Sequence, residues 1–362
     1  MKILERILIV CAGLGMGNAS RVVALMQALE TQAQHDGRSL AIEVASWGWG
    51  FDFLASYQQQ HPTRFQLHRL KSYTIASQPG LGLLAAPFIY LQNVRALRRI
   101  TAALAPHLIV LDSDYHFAAY LGCAGRRVTI GQAHDVVARL NTGHYQISSW
   151  REILNFVLRE RLDALSQRWF SSLVLVPSFT FTRQWPATGK VCPIPLMVRA
   201  EFLDTTASTP VDGSVGILLS GSSQERQPFL DCAARYGIRI LEQVPSEARA
   251  LNELDIVFTQ GGLSSISECL ALGKYLIVVP MSDHPEQQLN AREVERLGLG
   301  VSAQAAELKD LPTLLARARK TRAQQDPTRV DCTGANVAAR LLLSRRRQPR
   351  RTRTTRLSEI QM

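Results

Sequence analysis

Short apolar runs alternate with longer segments of helical period along nearly the whole chain. "RILIV" (6–10), "LAIEVASW" (40–47), "HLIVLDS" (107–113), "RVTIGQ" (127–132) and "SLVLVPS" (172–178) have the pattern of strands buried on both faces. Between them, 19–34, 93–106, 116–125 and 150–170 repeat apolar residues at three- and four-residue spacing. These are expected as helices, the second ended by Pro106. Residues 193–213 carry prolines and threonines without a period and read as a linker. A second alternation follows. Strands are expected at 214–221, 238–244, 255–260 and 275–280, and helices at 227–237, 264–273 and 286–298.

The architecture this predicts is α/β: two doubly wound, Rossmann-like domains facing across a cleft. The first covers 1–192 and the second 214–344, with the linker between them and a tail at 345–362. A last helix at 330–343 could pack back across the cleft. Ligands of such sheets sit beyond the carboxyl ends of the strands, so the cleft is the expected site.

Composition changes this picture little. With 362 residues, 46% hydrophobic and 20% charged, the chain can bury a core in each half. Its apolar start follows Lys2 and Arg6, but Glu5 interrupts the basic region and the glycines lead straight into a helix. It reads as a buried strand, not a signal peptide. No apolar stretch is long enough to span a bilayer. Six scattered cysteines without a CxxC pair argue against a zinc site or a disulfide framework, and point to a reducing, cytoplasmic setting. The net charge is +11, of which the tail from Arg345 supplies +6 through seven arginines and one glutamate. The remaining body is too mildly basic to indicate nucleic acid. The tail reads as a disordered arm that could touch an anionic surface or act only as a solubilising end. The apolar run "PGLGLLAAPFIYL" (79–91), followed by Arg95, Arg98 and Arg99, is either a core helix or a patch that docks on a membrane. With the tail, it suggests peripheral association with the inner face of the cytoplasmic membrane.

Two glycine loops carry the candidate chemistry. "CAGLGMGNASR" (11–21) follows a strand and opens a helix, but its G-x-G-x-G spacing and the lack of a suitably placed acid fail the dinucleotide fingerprint. A purely structural tight turn is the competing reading. In 256–300, Gly261 and Gly262 precede a helix whose first turns hold Ser264, Ser265 and Ser267. Backbone N–H groups at a helix start, free of side-chain bulk, suit a diphosphate. Glu268 can accept two hydrogen bonds from a ribose diol, and Glu286 with Gln287 offers acceptors and donors for sugar hydroxyls. Taken alone, Glu268 could be a surface acid and Gln287 a solvated helix residue. On consecutive strand–helix junctions they read together as a nucleotide-sugar site.

This stretch resembles the donor-site signature of the GT-B superfamily of UDP-sugar glycosyltransferases, the group that includes the lipid II-forming N-acetylglucosaminyltransferase and the UDP-glucuronosyltransferases. The resemblance is carried by Gly261, Gly262, Ser265, Glu268, Gly273, Pro280, Glu286, Gln287, Asn290 and Ala291, by "LLSGSSQER" (218–226) and by the first glycine loop. It implies that Gly261, Gly262 and Ser265 face the diphosphate, with Gln260 beside them in place of the family's histidine. It places Ser222 and Gln224 opposite, the backbone at Val244 on the uracil, Glu268 on the ribose, and Glu286 and Gln287 on the sugar. Gly15, Gly17 and Asn18 would border the donor from the first domain. Transfer would invert the anomeric carbon, with no metal and no cofactor, the UDP-sugar being a co-substrate. The acceptor would be a hydroxyl of a lipid-linked or envelope glycan.

Asn18 stands where the family has its usual basic histidine, and an amide cannot take a proton at neutral pH. The base must then come from elsewhere; Asp112, Asp114, His116, His134 and Asp135 all lie on or just after strand ends of the first domain, and Asp114 and His134 are the leading candidates. "DSD" (112–114) also matches a metal-binding DxD pattern, but it lies in the wrong domain for the donor. A nucleotide-sugar epimerase on the same fold and a nucleotide-sugar binder without catalysis are the alternative readings.

Overall fold

The computed structural model describes residues 4–62, 64–73, 82–141, 157–179, 189–203, 212–219, 223–242, 248–281, 284–324 and 329–344, except for the side chains of 82–84 and 223–225. Its first half runs β1 (Leu4–Cys11), α1 (Met16–His35), β2 (Ser39–Ser46), α2 (Gly48–Gln60), β3 (Gln66–Arg69), α3 (Gly82–Leu104) and β4 (Leu108–Asp112). A 3-10 turn at Phe117–Tyr120 then leads to β5 (Arg126–Ile130), α4 (Ala133–Asn141), α5 (Arg159–Phe170), β6 (Leu173–Pro177) and β7 (Val191–Ile194). These strands form one parallel sheet of order β3-β2-β1-β4-β5-β6-β7.

The second half runs β8 (Val215–Leu219), α6 (Ser223–Tyr236), β9 (Arg239–Glu242), β10 (Ile256–Thr259), α7 (Leu263–Ala271), β11 (Tyr275–Val278) and α8 (Pro285–Arg296). It continues through β12 (Gly300–Ser302), α9 (Leu311–Gln324) and α10 (Gly334–Ser344). Its parallel sheet has the order β12-β11-β10-β8-β9. Every residue of β4, β6, β10 and β11 is buried, which is why these strands read as continuous apolar runs rather than alternating ones.

In both sheets the strand order reverses beside the functional loop. The first glycine loop leaves β1 where β2 and β4 diverge, and the second leaves β10 beside the reversal at β8. Helices lie on opposite sides at such a point and leave a crevice for a ligand.

Two stretches depart from the expected pattern. The segment after β2 contains α2 and β3, hidden in the sequence by the Trp-Gly-Trp-Gly run. The supposed linker begins with the last residues of β7. Pro193 is accommodated there because β7 is the edge of its sheet, where a missing N–H costs little. Beyond it, Leu196, Val198, Arg199 and Phe202 are buried, so this connection is packed structure. The last helix does pack back, as its pattern suggested: α10 follows the second domain in sequence and lies on α1. It buries Ala338, Ala339, Leu342 and Leu343 in the first core. Each leucine buried there contributes roughly 1.5–3 kcal/mol. Gly334 starts that helix because a Cβ would lie 2.0 Å from the Pro195 carbonyl oxygen.

Candidate active site

The second glycine loop makes an open helix start. Gly261 has φ +94°, a left-handed conformation, and a Cβ added there would lie 3.1 Å from the Gln287 carbonyl oxygen. Gly262 is the N-cap of α7, with no side-chain cap, and a Cβ added to it would meet nothing within 4 Å. The start of α7 at Gly262 is therefore free of side-chain bulk at the positive end of the helix dipole.

Asn290 fixes the turn by donating from Nδ2 to the Gly261 carbonyl at 3.0 Å. Gln287 uses its Oε1 to accept the Met281 N–H at 3.1 Å, and its amide nitrogen has no partner among the described residues. Gln260 and Ser265 are buried at the same junction. Ser267 turns back to the Leu263 carbonyl, while Ser264 crosses to the first domain and donates to the Gly17 carbonyl at 2.7 Å.

Glu268 is not open to a ligand in this conformation. Its side chain is 1% exposed, and Oε1 accepts from the Ser20 hydroxyl of α1 and from Arg199 Nε at 2.9 Å. Arg199 is itself fully buried and also pairs with Glu201 at 3.3 Å. Its guanidinium lies 4.6 Å from the Phe202 ring centroid and 5.4 Å from that of Phe53. The acid expected as an open ribose clamp thus joins α1, α7 and the interdomain connection.

On the facing side, Gly13 is required by packing, because a Cβ would lie 1.5 Å from the Trp47 carbonyl oxygen. Gly15 is open, and Gly17 touches Ser264. The Asn18 side-chain oxygen accepts from Arg21 at 3.0 Å. Arg21 in turn grips Asp112 with two bonds, Nε to Oδ2 at 2.8 Å and Nη2 to Oδ1 at 2.5 Å. Burial works against the guanidinium charge, but Asp112 outweighs it and holds Arg21 above its ordinary range, with a further contribution from Glu286 across the cleft. Both carboxylate oxygens of Asp112 are thereby engaged by Arg21. Among the described residues no set of three His, Cys, Asp or Glu side chains gathers to hold a metal.

The two expected bases have different surroundings. Asp114 is buried, bonding His116 Nδ1 at 2.5 Å and accepting the His116 N–H at 3.1 Å, so it cannot itself meet an acceptor hydroxyl. His134 begins α4 and faces α5, near Ala164 and Arg168; burial, then the Arg168 charge, lowers its pKa.

Two unexpected groupings appear instead. His116 Nε2 meets the Tyr73 hydroxyl at 2.7 Å, completing an Asp114–His116–Tyr73 chain. Val157, one turn before Glu160, shares a small core with Leu289, one turn after Glu286. Burial, Asp163 and Glu286 together raise Glu160 to about 7. Asp-x-His is visible in "DSDYHF", but its phenolic partner lies 43 residues away. Ser222, Val244 and the side chain of Gln224 lie outside the described residues.

Residues 217–338 match the glycosyltransferase family 28 C-terminal domain. The chain has the GT-B fold. It is 35% identical over 133 residues to the uncharacterized glycosyltransferase MK0977 of Methanopyrus kandleri, a match covering 35% of this chain and 38% of that protein. It is 33% identical over 204 residues to the NDP-glycosyltransferase YjiC of Bacillus subtilis, covering 53% and 47%. The matched stretches thus span less than half of each relative. Among solved structures, Acinetobacter baumannii MurG aligns with TM-score 0.53 and 15% identity over 94% of this chain and 100% of its own. Phytolacca americana UGT2, solved with UDP-2-fluoro-glucose and pterostilbene, aligns with TM-score 0.61 and 13% identity over 95% and 98%. At these identities the likeness speaks for the GT-B fold alone.

Proposed function

We propose that the protein is an inverting, metal-independent glycosyltransferase. It moves a hexose or N-acetylhexosamine from a UDP-sugar to a hydroxyl of a lipid-linked or envelope glycan. The observation that carries this reading is the uncapped start of α7 at Gly262, set opposite the first glycine loop with Ser264 bonded to Gly17. The diphosphate takes the orphan N–H groups, which also stabilise the charge that develops on the leaving group. Glu286 and the amide nitrogen of Gln287 hold the sugar. The Ser20 hydroxyl on Glu268 occupies the position of a ribose hydroxyl. Donor binding replaces Ser20 with the ribose diol while Arg199 continues to anchor the carboxylate.

The acceptor enters from the first domain. On α3, Phe88 and Leu91 are 70% and 51% exposed, and Arg95 and Arg98 are exposed one and two turns beyond Leu91. No helix among the described residues is long and apolar enough to cross a membrane. This exposed stripe supports peripheral docking beside a lipid-linked acceptor.

A second reading, a nucleotide-sugar binder without catalysis, is favoured by the bond between Asn18 and Arg21 where the family's base would stand. One experiment separates the two. UDP, UDP-glucose and UDP-N-acetylglucosamine are each added, and thermal stabilisation and UDP release are followed with and without EDTA. Stabilisation with EDTA-insensitive UDP release supports the transferase. Stabilisation alone supports the binder, and no response to any uridine nucleotide sinks both.

A further inference from the structure

The missing base leaves a chemical question. Some group must take the acceptor proton: Asn18 is unsuited, Asp112 and Asp114 are engaged by Arg21 and His116, and His134 faces α5 near Arg168. The carboxyl ends of β3 and β4 supply a connected alternative. Asp114 fixes the His116 ring through Nδ1, so that Nδ1 carries the proton and Nε2 presents its lone pair. That lone pair meets the Tyr73 hydroxyl at 2.7 Å. Tyr90 of α3 stacks on the imidazole, with centroids 5.2 Å apart and planes at 16°, which fixes the ring plane.

His116 is 4% exposed and cannot touch an acceptor, whereas Tyr73 is half-buried. The Tyr73 ring meets Trp47 edge-on at 5.1 Å, and Trp47 packs on Gly13 of the first glycine loop. The phenol therefore lies one side chain from the loop that borders the donor. A carboxylate orienting an imidazole, which in turn polarises a hydroxyl, is the arrangement by which a buried base acts on a group it does not touch.

We propose that Tyr73 is the group that contacts the acceptor hydroxyl and relays its proton to His116, with Asp114 as the positioning residue. This rests on the transferase reading above. As the acceptor oxygen forms its bond to the anomeric carbon, its proton passes to the Tyr73 oxygen. The Tyr73 proton passes to His116 Nε2. The bond from the anomeric carbon to the diphosphate oxygen breaks, and its electron pair leaves with UDP. The imidazolium is balanced by Asp114 until its proton returns through the Tyr73 hydroxyl to water. The phenol remains protonated at rest, because burial, then the Asp114 and Tyr90 charges, raises its pKa despite a bond from Asn93.

Among the described residues, the titratable groups facing this chain are Tyr90 from α3, Tyr120 from the 3-10 turn and Cys11 from β1, the last two through Asp114. None of these is a cation.

The test uses UDP release from UDP-glucose and UDP-N-acetylglucosamine, with water as acceptor, alongside UDP thermal shift and ¹⁵N-histidine NMR. Tyr73→Phe and His116→Asn are each expected to lower kcat by about 100-fold, in the range of a lost general base, with UDP stabilisation unchanged. The limb of the parent's kcat–pH profile that follows the His116 NMR titration should vanish in both. In Tyr73→Phe the Nε2 resonance should move while Nδ1 stays protonated. Unchanged UDP stabilisation with kcat within threefold of the parent, or with the pH limb retained, overturns the relay alone. If the parent neither binds UDP nor releases it, the donor reading falls and the relay falls with it.

Discussion

Replacing Arg199 tests how the two domains are held together. The Arg199 side chain is 0% exposed and its partner Glu268 is 1% exposed, so neither charge is screened by water. Removing one member of such a pair leaves the other buried without its counter-charge, at a cost of about 3–5 kcal/mol. Arg199→Met keeps most of the packing against Phe53 and Phe202 but loses the cation–π attraction, which adds roughly 1 kcal/mol. A loss of about 4 kcal/mol is expected, or roughly 8–16 °C in melting temperature for a domain of this size. Urea unfolding monitored by tryptophan fluorescence is the assay. The double variant Arg199→Met/Glu268→Gln removes both charges and should recover at least half of the loss, because replacing a whole buried pair is often near neutral. A single-variant loss below about 1 kcal/mol, or a double variant no more stable than the single, would refute the argument that this pair is desolvated and coupled.

Other outcomes follow from the same geometry. Ser20→Ala should lower stability by about 1 kcal/mol through a lost hydrogen bond to a buried carboxylate, yet bind UDP about fivefold tighter, because the competing hydroxyl is gone; weaker UDP binding in calorimetry would contradict the ribose exchange. Glu160 is raised from 4.5 to about 7, so the folded state holds this proton more tightly than the unfolded chain, and its ionisation subtracts stability as pH rises from about 4.5 to 7. At 1.36 kcal/mol per pH unit the ceiling is about 3 kcal/mol, and partial solvation reduces it to about 2. Glu160→Gln should therefore match the parent near pH 4 and exceed it by about 2 kcal/mol at pH 8, and parallel stability–pH curves would exclude this. Gly261→Ala forces a side chain into a left-handed backbone against Gln287 and should cost about 1–3 kcal/mol, while Gly262→Ala, with open space, should weaken UDP binding more than stability. Phe88→Glu should abolish co-sedimentation with anionic vesicles without altering UDP release, and undiminished sedimentation would remove α3 from the docking surface.

Much of the fold was legible because parallel strands covered on both faces must be apolar throughout. Runs such as 108–112 and 256–259 could hardly be anything else. Gly261 and Gly262 were legible for a similar reason, since a left-handed turn and an open helix start both favour glycine. Elements with mixed signals were not. The glycines around Trp49 masked α2, and Pro193 masked an edge strand that tolerates it.

The sequence by itself determined the two-sheet architecture and the position of the second glycine loop, because both follow from local periodicity and backbone chemistry. It could not determine what Glu268, Asp112 and Asp114 do. The partners of these acids come from other segments, Ser20 and Arg199 for the first, Arg21 for the second and His116 with Tyr73 for the third. A carboxylate in a low-dielectric interior takes its role from whichever cation or donor the fold brings within hydrogen-bond reach. Only the tertiary structure decided which acid joins the domains, which one balances an arginine and which one orients a histidine.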